Sequence, residues 1–332
     1  MVFEPQPRTP WDPGTDVSPP TSPDEELFCH PYSGFVADVG LWVDDRGVFV
    51  LADVVNAEGP TRGWPSGAVL QHHDGTEWEV WFDRPHDETS PGPSGLASQA
   101  GKPIYLWSEP DCWITSVRAQ ETTYCWLQEA PTTPGEYSLT DMHPTADGSW
   151  LLYTDPMETH LALVPGHSFT PDVHGTPLAV WGDGAGYYVL TSEALFLGGQ
   201  NSGSTSAGPY EHTAFWASDR DNVWVGTDDG HLLNFTTAQW LTHEAVDGRI
   251  EHLSGTTAAE PVYFATRRRL GRLLPDGEIE SLIAFESTAI TIAALQVHEE
   301  DAVIAVRDDR HVQETCGQLF LVRYRNGVVE RL

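Results

Sequence analysis

Lysine is almost missing from this chain. Lys102 is the single one among 17 basic residues, against 49 Asp plus Glu, for a formal net charge of −32. A GC-rich genome and a salt-adapted surface both deplete lysine, and neither bears on function. A field of that sign repels phosphate backbones, so nucleic acid is excluded as an expected partner. Long apolar runs are lacking too. No stretch approaches the ~20 residues of a membrane-spanning helix, and no basic start followed by an apolar stretch opens the chain. Cysteine is sparse at four residues, with no Cys-x-x-Cys pair, so a zinc site on that spacing is not expected. The motifs of familiar hydrolases and phosphate loops are absent: no Gly-x-Ser-x-Gly elbow, no His-Glu-x-x-His and no Walker-type loop. No catalytic set, metal or cofactor is therefore assigned.

What the chain has is turn formers and aromatics: 30 Gly, 25 Pro and 13 Trp. Residues 1–27 are Pro-rich and acidic and carry too little apolar material to fold, which reads as a spacer. Beyond them strand periodicity dominates. Seven short β-rich cores recur, marked by Val48, Ile104, Trp150, Tyr187, Val223, Val262 and Val303, with steps of 56, 46, 37, 36, 39 and 41. A period near 40 is the size of a four-stranded blade. Tight polar turns precede most cores. Asp74-Gly75, Asp276-Gly277 and Asn326-Gly327 supply hairpin signals after them. The expectation is an all-β fold, a seven-bladed β-propeller of four-stranded antiparallel blades over residues 28–332. Closing the ring would bury both faces of each blade.

The segment AFWASDRDNVWVGTDDGHLLNF resembles blades of bacterial two-component-regulator-type propellers. LAVWGDGAGYYVL and LQHHDGTEWEVW resemble repeats of extracytoplasmic propeller lipoproteins. These motifs specify turns and cores. The Gly-His…Trp-Asp pattern of WD40 blades and the double glycine of kelch are absent, and TADGSW falls one residue short of a sialidase Asp-box. Those families' activities do not carry over.

Cys112 and Cys125 flank a hairpin-like segment whose turn would centre on Arg118-Ala119, which would set them opposite each other. Cys29 lies just before the first expected blade and Cys316 inside the last, regions that a ring brings together. Two disulfides, Cys112–Cys125 and Cys29–Cys316, are expected, with four free thiols in a cytoplasmic protein as the alternative. Among the 14 histidines, His72-His73 point to opposite faces of a strand. His160, His167 and His174 lie in loop-like sequence and define no ligand geometry.

Candidate binding residues fall on the connections between second and third strands. Arg62 and Trp64 lie on a long first-blade loop, and Asp228 and Asp229 in the fifth blade. The sixth carries the basic run Arg267, Arg268 and Arg269; the seventh carries Asp308, Asp309, Arg310 and His311. The functional expectation is a non-enzymatic binding or scaffold module, secreted or lipid-anchored, that engages a protein or a glycan through this loop face. A carbohydrate-active propeller hydrolase or lyase and an intracellular interaction scaffold are the alternatives.

Overall fold

In the computed structural model the chain is described over residues 35–332, apart from 56–66, 86–94, 99–102, 109–112, 118–120, 125–137, 146–147, 155–157, 165–167, 184–185, 200–202, 207, 237–238, 245, 247 and 312–316. The described residues are strands joined by turns, with one 3-10 turn at Asp309–His311. Strands β1–β28 group in sequence order into four-stranded antiparallel sheets, each strand bonded to its chain neighbours. The repeat markers fall on the second strand of each sheet, with Ile104 immediately before its strand.

Seven equivalent blades are not what the chain builds. Six sheets have first, second and third strands of five residues or more. The remaining sheet, β5–β8, consists of Gly95–Ala97, Tyr105–Ser108, Trp113–Ser116 and Glu121–Tyr124, none longer than four residues. The expectation of seven blades, and the resemblance to seven-bladed families, are therefore corrected to six full four-stranded blades plus this reduced sheet. The sequence around it is dense in proline, at Pro85, Pro91, Pro93, Pro103, Pro110, Pro131 and Pro134, and proline, which cannot donate to a ladder, disfavours long strands there.

By contact density the chain divides into two units. One comprises residues 1–83 and 213–332, the other 84–212. The first holds the sheets β1–β4, β17–β20, β21–β24 and β25–β28. Apolar clusters join successive sheets there. Tyr263, Leu270, Ile292, Ile304 and Phe320 lock the sixth and seventh sheets together. Val43, Val50, Val69, Val303 and Leu321 lock the seventh onto the first. Each such side chain contributes roughly 1.5–3 kcal/mol on burial. The pattern along β26 (Asp301–Asp308), buried on both faces through Val306, against the exposed β28 (Val328–Arg331), shows why the strands read as continuous apolar runs in mid-sheet and as polar ones at the rim. At the outermost hairpin, Asn326 and Gly327 both adopt positive φ, as the Asn-Gly signal predicts.

The first strand of five sheets carries the same irregularity, a one-residue bulge. It lies between Val36 and Asp38 in β1 (Phe35–Asp44), between Leu139 and Asp141 in β9 (Ser138–Thr145), and between Pro177 and Ala179 in β13 (Pro177–Asp183). In β21 (Ile250–Ser254) it lies between Ile250 and His252, and in β25 (Ile290–His298) between Ile292 and Ala294. A bulge leaves one residue's backbone groups unpaired and re-aims the next side chain. Both consequences are used. In β1, the carbonyl of bulged Ala37 and that of Val36 accept bonds from the Arg307 guanidinium, at 3.4 and 3.2 Å, while the Val36 N–H donates to Gln318 Oε1 at 3.1 Å. In the second unit, Asp141 follows the bulge of β9 and accepts the Val180 N–H of β13 at 2.8 Å. Burial outweighs its backbone bonds and pushes its carboxyl up to about 6. In β21, burial holds His252, bonded to the Ile292 backbone, down at about 4.

All four cysteines, Cys29, Cys112, Cys125 and Cys316, lie outside the described residues, and among the described residues there is no disulfide. The two expected bridges gain no support from the structure and are not carried forward.

Candidate functional site

Two places in the first unit gather functional chemistry, at opposite ends of the strands. The first is where second strands turn into third strands. Arg267 and Arg268 connect β22 (Val262–Thr266) to β23 (Arg269–Leu273), and Arg269 opens β23. The Arg267 carbonyl accepts the Ile292 N–H of β25 at 2.8 Å, and the Arg268 carbonyl accepts the Phe285 N–H at 2.9 Å. The backbone of the basic run is thus pinned to the chain leading into the next sheet. The side chains are held by neutral acceptors: Arg267 Nε donates to Thr291 Oγ1 at 3.4 Å, and Arg268 Nη1 to the Glu286 carbonyl at 3.3 Å. Among the described residues neither guanidinium pairs with a carboxylate.

Beside them, Thr291 pairs across the ladder with Arg307, whose Nε donates to Asp309 at 2.9 Å. The Asp309 N–H donates to the Ala289 carbonyl at 2.9 Å. The structure therefore brings Arg267, Arg268 and Asp309 into one neighbourhood. Asp308 is different. Its side chain is fully buried, and Arg310 closes on it through Nε at 2.8 Å and Nη2 at 2.7 Å, so it shapes the turn and is withdrawn from ligands. His311 ends the 3-10 turn, and its side chain is outside the described set.

Asp228 and Asp229, on the corresponding turn of the fifth sheet, do not join this group. Asp229 accepts from Thr227 Oγ1 at 2.7 Å and bonds His231 Nδ1 at 2.8 Å. Partial burial raises its carboxyl, but these bonds outweigh it and hold it below the usual range. That is the work of a turn cap. Arg62 and Trp64 lie outside the described residues.

The second place was not singled out from the sequence. It is a cavity of about 260 Å³ where the first hairpins of the first and seventh sheets meet, lined by Asp44, Asp45, His73, His298, Glu299 and Asp301 among others. Most of its acids are committed. Burial would raise the Asp44 carboxyl, yet the bonds from Arg46 and Trp42 bring it below its ordinary value. Asp74 is lowered to about 2, chiefly by the Thr76 hydroxyl and backbone. Asp301 is gripped by Arg325. Among the described residues no guanidinium bonds Asp45 or Glu299, although Arg325, which grips Asp301, also acts on Glu299 through its charge. Asp45 Oδ1 lies 3.0 Å from His298 Nε2, and the ligand atoms of Asp45, His298 and Glu299 all fall within 4.8 Å of one another. Two carboxylates and an imidazole are a donor set that suits a divalent cation. The sequence offered only two ordinary acidic turns, DDRG and HEED, 253 residues apart.

No family model matches this chain, and no curated protein matches it. Among the described residues no helix is long and apolar enough to cross a membrane.

Proposed function

We propose that this protein is a non-enzymatic binding module of the cell exterior, which engages its partner at the second-to-third-strand connections of the sixth and seventh sheets. One observation carries the reading. The connection bearing Arg267 and Arg268 is braced through both backbone and side chain to the start of the next sheet, yet its guanidiniums keep most of their donors unspent. Rigidly mounted connections with unspent polar groups suit recognition, because little ordering cost remains to be met on binding. The Pro-rich segment 1–27 fits this role as a spacer between the sheets and an anchor. No observation favours a hydrolase or lyase.

The test compares immobilised wild-type protein with an R267S/R268S variant, presented with the exterior fraction of the source cells and read by quantitative mass spectrometry. At least one component retained by the wild type should be lost from the variant. Identical capture by both would refute the assignment of this surface.

A further inference from the structure

The basic connection stands out against the way this chain treats its other arginines. With 49 acids for 17 basic residues, a guanidinium at the surface meets carboxylates at every turn. Arg46, Arg272, Arg307, Arg310, Arg323 and Arg325 each bond one. Among the described residues Arg267 and Arg268 do not. They are anchored, one on a hydroxyl and one on a carbonyl, while among the described residues the exposed carboxylate of Glu286 makes no ion pair even though its own carbonyl receives Arg268. A third cation stands at the same end of the sheet. Ile250 pairs with Thr266, so exposed Arg249, one residue earlier, continues the register opposite Arg267. Arg249 also lacks a carboxylate partner among the described residues.

Resting on the binding role proposed above, we infer that Arg267 and Arg268 form a recognition site for an isolated carboxylate carried by an otherwise neutral ligand. Each guanidinium offers five donors in a planar fork, and a single anchoring bond leaves enough to grip a carboxylate in bidentate fashion. The anchoring bonds fix the forks without neutralising them, so the positive charge stays available to the ligand. The ligand's charge is limited from the other side. A net charge of −32 repels polyanions and dianions at long range, so one negative group amid neutral atoms meets the least opposition on approach. The planar fork matches a carboxylate in shape, and a lysine at the same place would supply only a point charge.

The experiment titrates the full 332-residue chain with four probes, followed by calorimetry and by amide chemical shifts: D-galacturonate, its methyl ester, N-acetylglycine and inorganic phosphate. At least one of the two carboxylates should bind saturably, and the stronger of them tells whether a sugar acid or a peptide-type end group is preferred. The ester should bind at least tenfold more weakly than galacturonate if the sugar acid is preferred. Phosphate should bind more weakly than the better carboxylate. R267S/R268S should lose at least tenfold in affinity while melting within a few degrees of wild type, since exposed contacts of this kind contribute little to folding. R267K/R268K keeps the charge and loses the fork, and should lose about threefold or more. The inference is overturned if neither carboxylate binds, if phosphate binds best, or if the Ser variant binds as the wild type does. Carboxylate binding that the wild type shows and R267S/R268S loses, together with unchanged partner capture by that variant, would uphold this site and refute its role as the partner surface.

Discussion

Replacing Asp141 with Asn should stabilise the protein at neutral pH and leave it almost unchanged at acid pH. Asp141 follows the bulge in β9 and accepts the Val180 N–H at 2.8 Å. Its carboxyl is pushed up from 3.8 to about 6, with burial as the largest cause. A carboxyl whose pKa is raised in the folded state favours folding in its protonated form. That advantage is fully present below pH 3.8 and is lost as the pH rises through 6. Above that window the folded protein carries a charge in a poorly solvated place. A shift of about two pH units corresponds to roughly 3 kcal/mol as an upper bound. Because the residue keeps some contact with solvent, a gain of about 1–3 kcal/mol is expected for D141N at pH 7.5. Asn keeps an acceptor for the Val180 N–H and removes the ionisation. Urea unfolding of both proteins at pH 7.5 and pH 4, followed by two probes because the chain has two compact units, measures the difference. A D141N protein destabilised equally at both pH values would refute the reasoning, because the position would then need the charge.

His252, held down at about 4 by burial, gives stability that is present above pH 6.5 and lost as the pH falls toward 4. H252Q should flatten the fall in melting temperature between pH 7.5 and pH 5, and an unchanged slope would show that other groups drive it. Gln318→Ala removes the acceptor of the buried Val36 N–H and should cost about 1–3 kcal/mol in chemical denaturation, whereas a loss below measurement error would mean that the N–H finds another acceptor. Gly230 sits at φ +91 beside the Asp228–Asp229 turn, and a Cβ there would meet the Val246 carbonyl at 1.8 Å. Gly230→Ala should therefore destabilise by more than about 2 kcal/mol, with wild-type stability as the contrary result.

The strands and their turns were legible because their signals are local. NVWVGT and AVIAVR announce mid-sheet strands by being apolar on both faces, and Asn326-Gly327 announces its hairpin by backbone preference alone. The reduced sheet left a trace in the irregular steps of 56 and 46 around Ile104, but counting β-rich cores gave that segment the same weight as full blades. The bulges left no trace. An extra residue in a strand is a property of pairing with a neighbour, so nothing in the sequence around Asp141 or His252 tells which way the side chain turns. The basic run was visible as composition. Arg307 and Arg310 find their carboxylates two residues away in their own connection. Arg267 and Arg268 have none among the described residues, and their anchors, Thr291 and the Glu286 carbonyl, lie beyond their own strand pair. The meeting of Asp45 with His298 is equally non-local.

The latch between Val36 and Gln318 joins residues 282 positions apart, and that separation has a consequence during synthesis. At about 5–20 residues per second the ribosome needs on the order of 15–60 s to travel from one to the other. Through that interval β1 and the strands after it exist without the sheet that covers them. Val43, Val50 and Val69 must wait in water, or in the grip of a chaperone, for Val303 and Leu321 to be made. The first sheet out of the ribosome is thus among the last to be completed, and the nascent chain is most exposed to aggregation along the face that the finished molecule hides behind its own C-terminal strands.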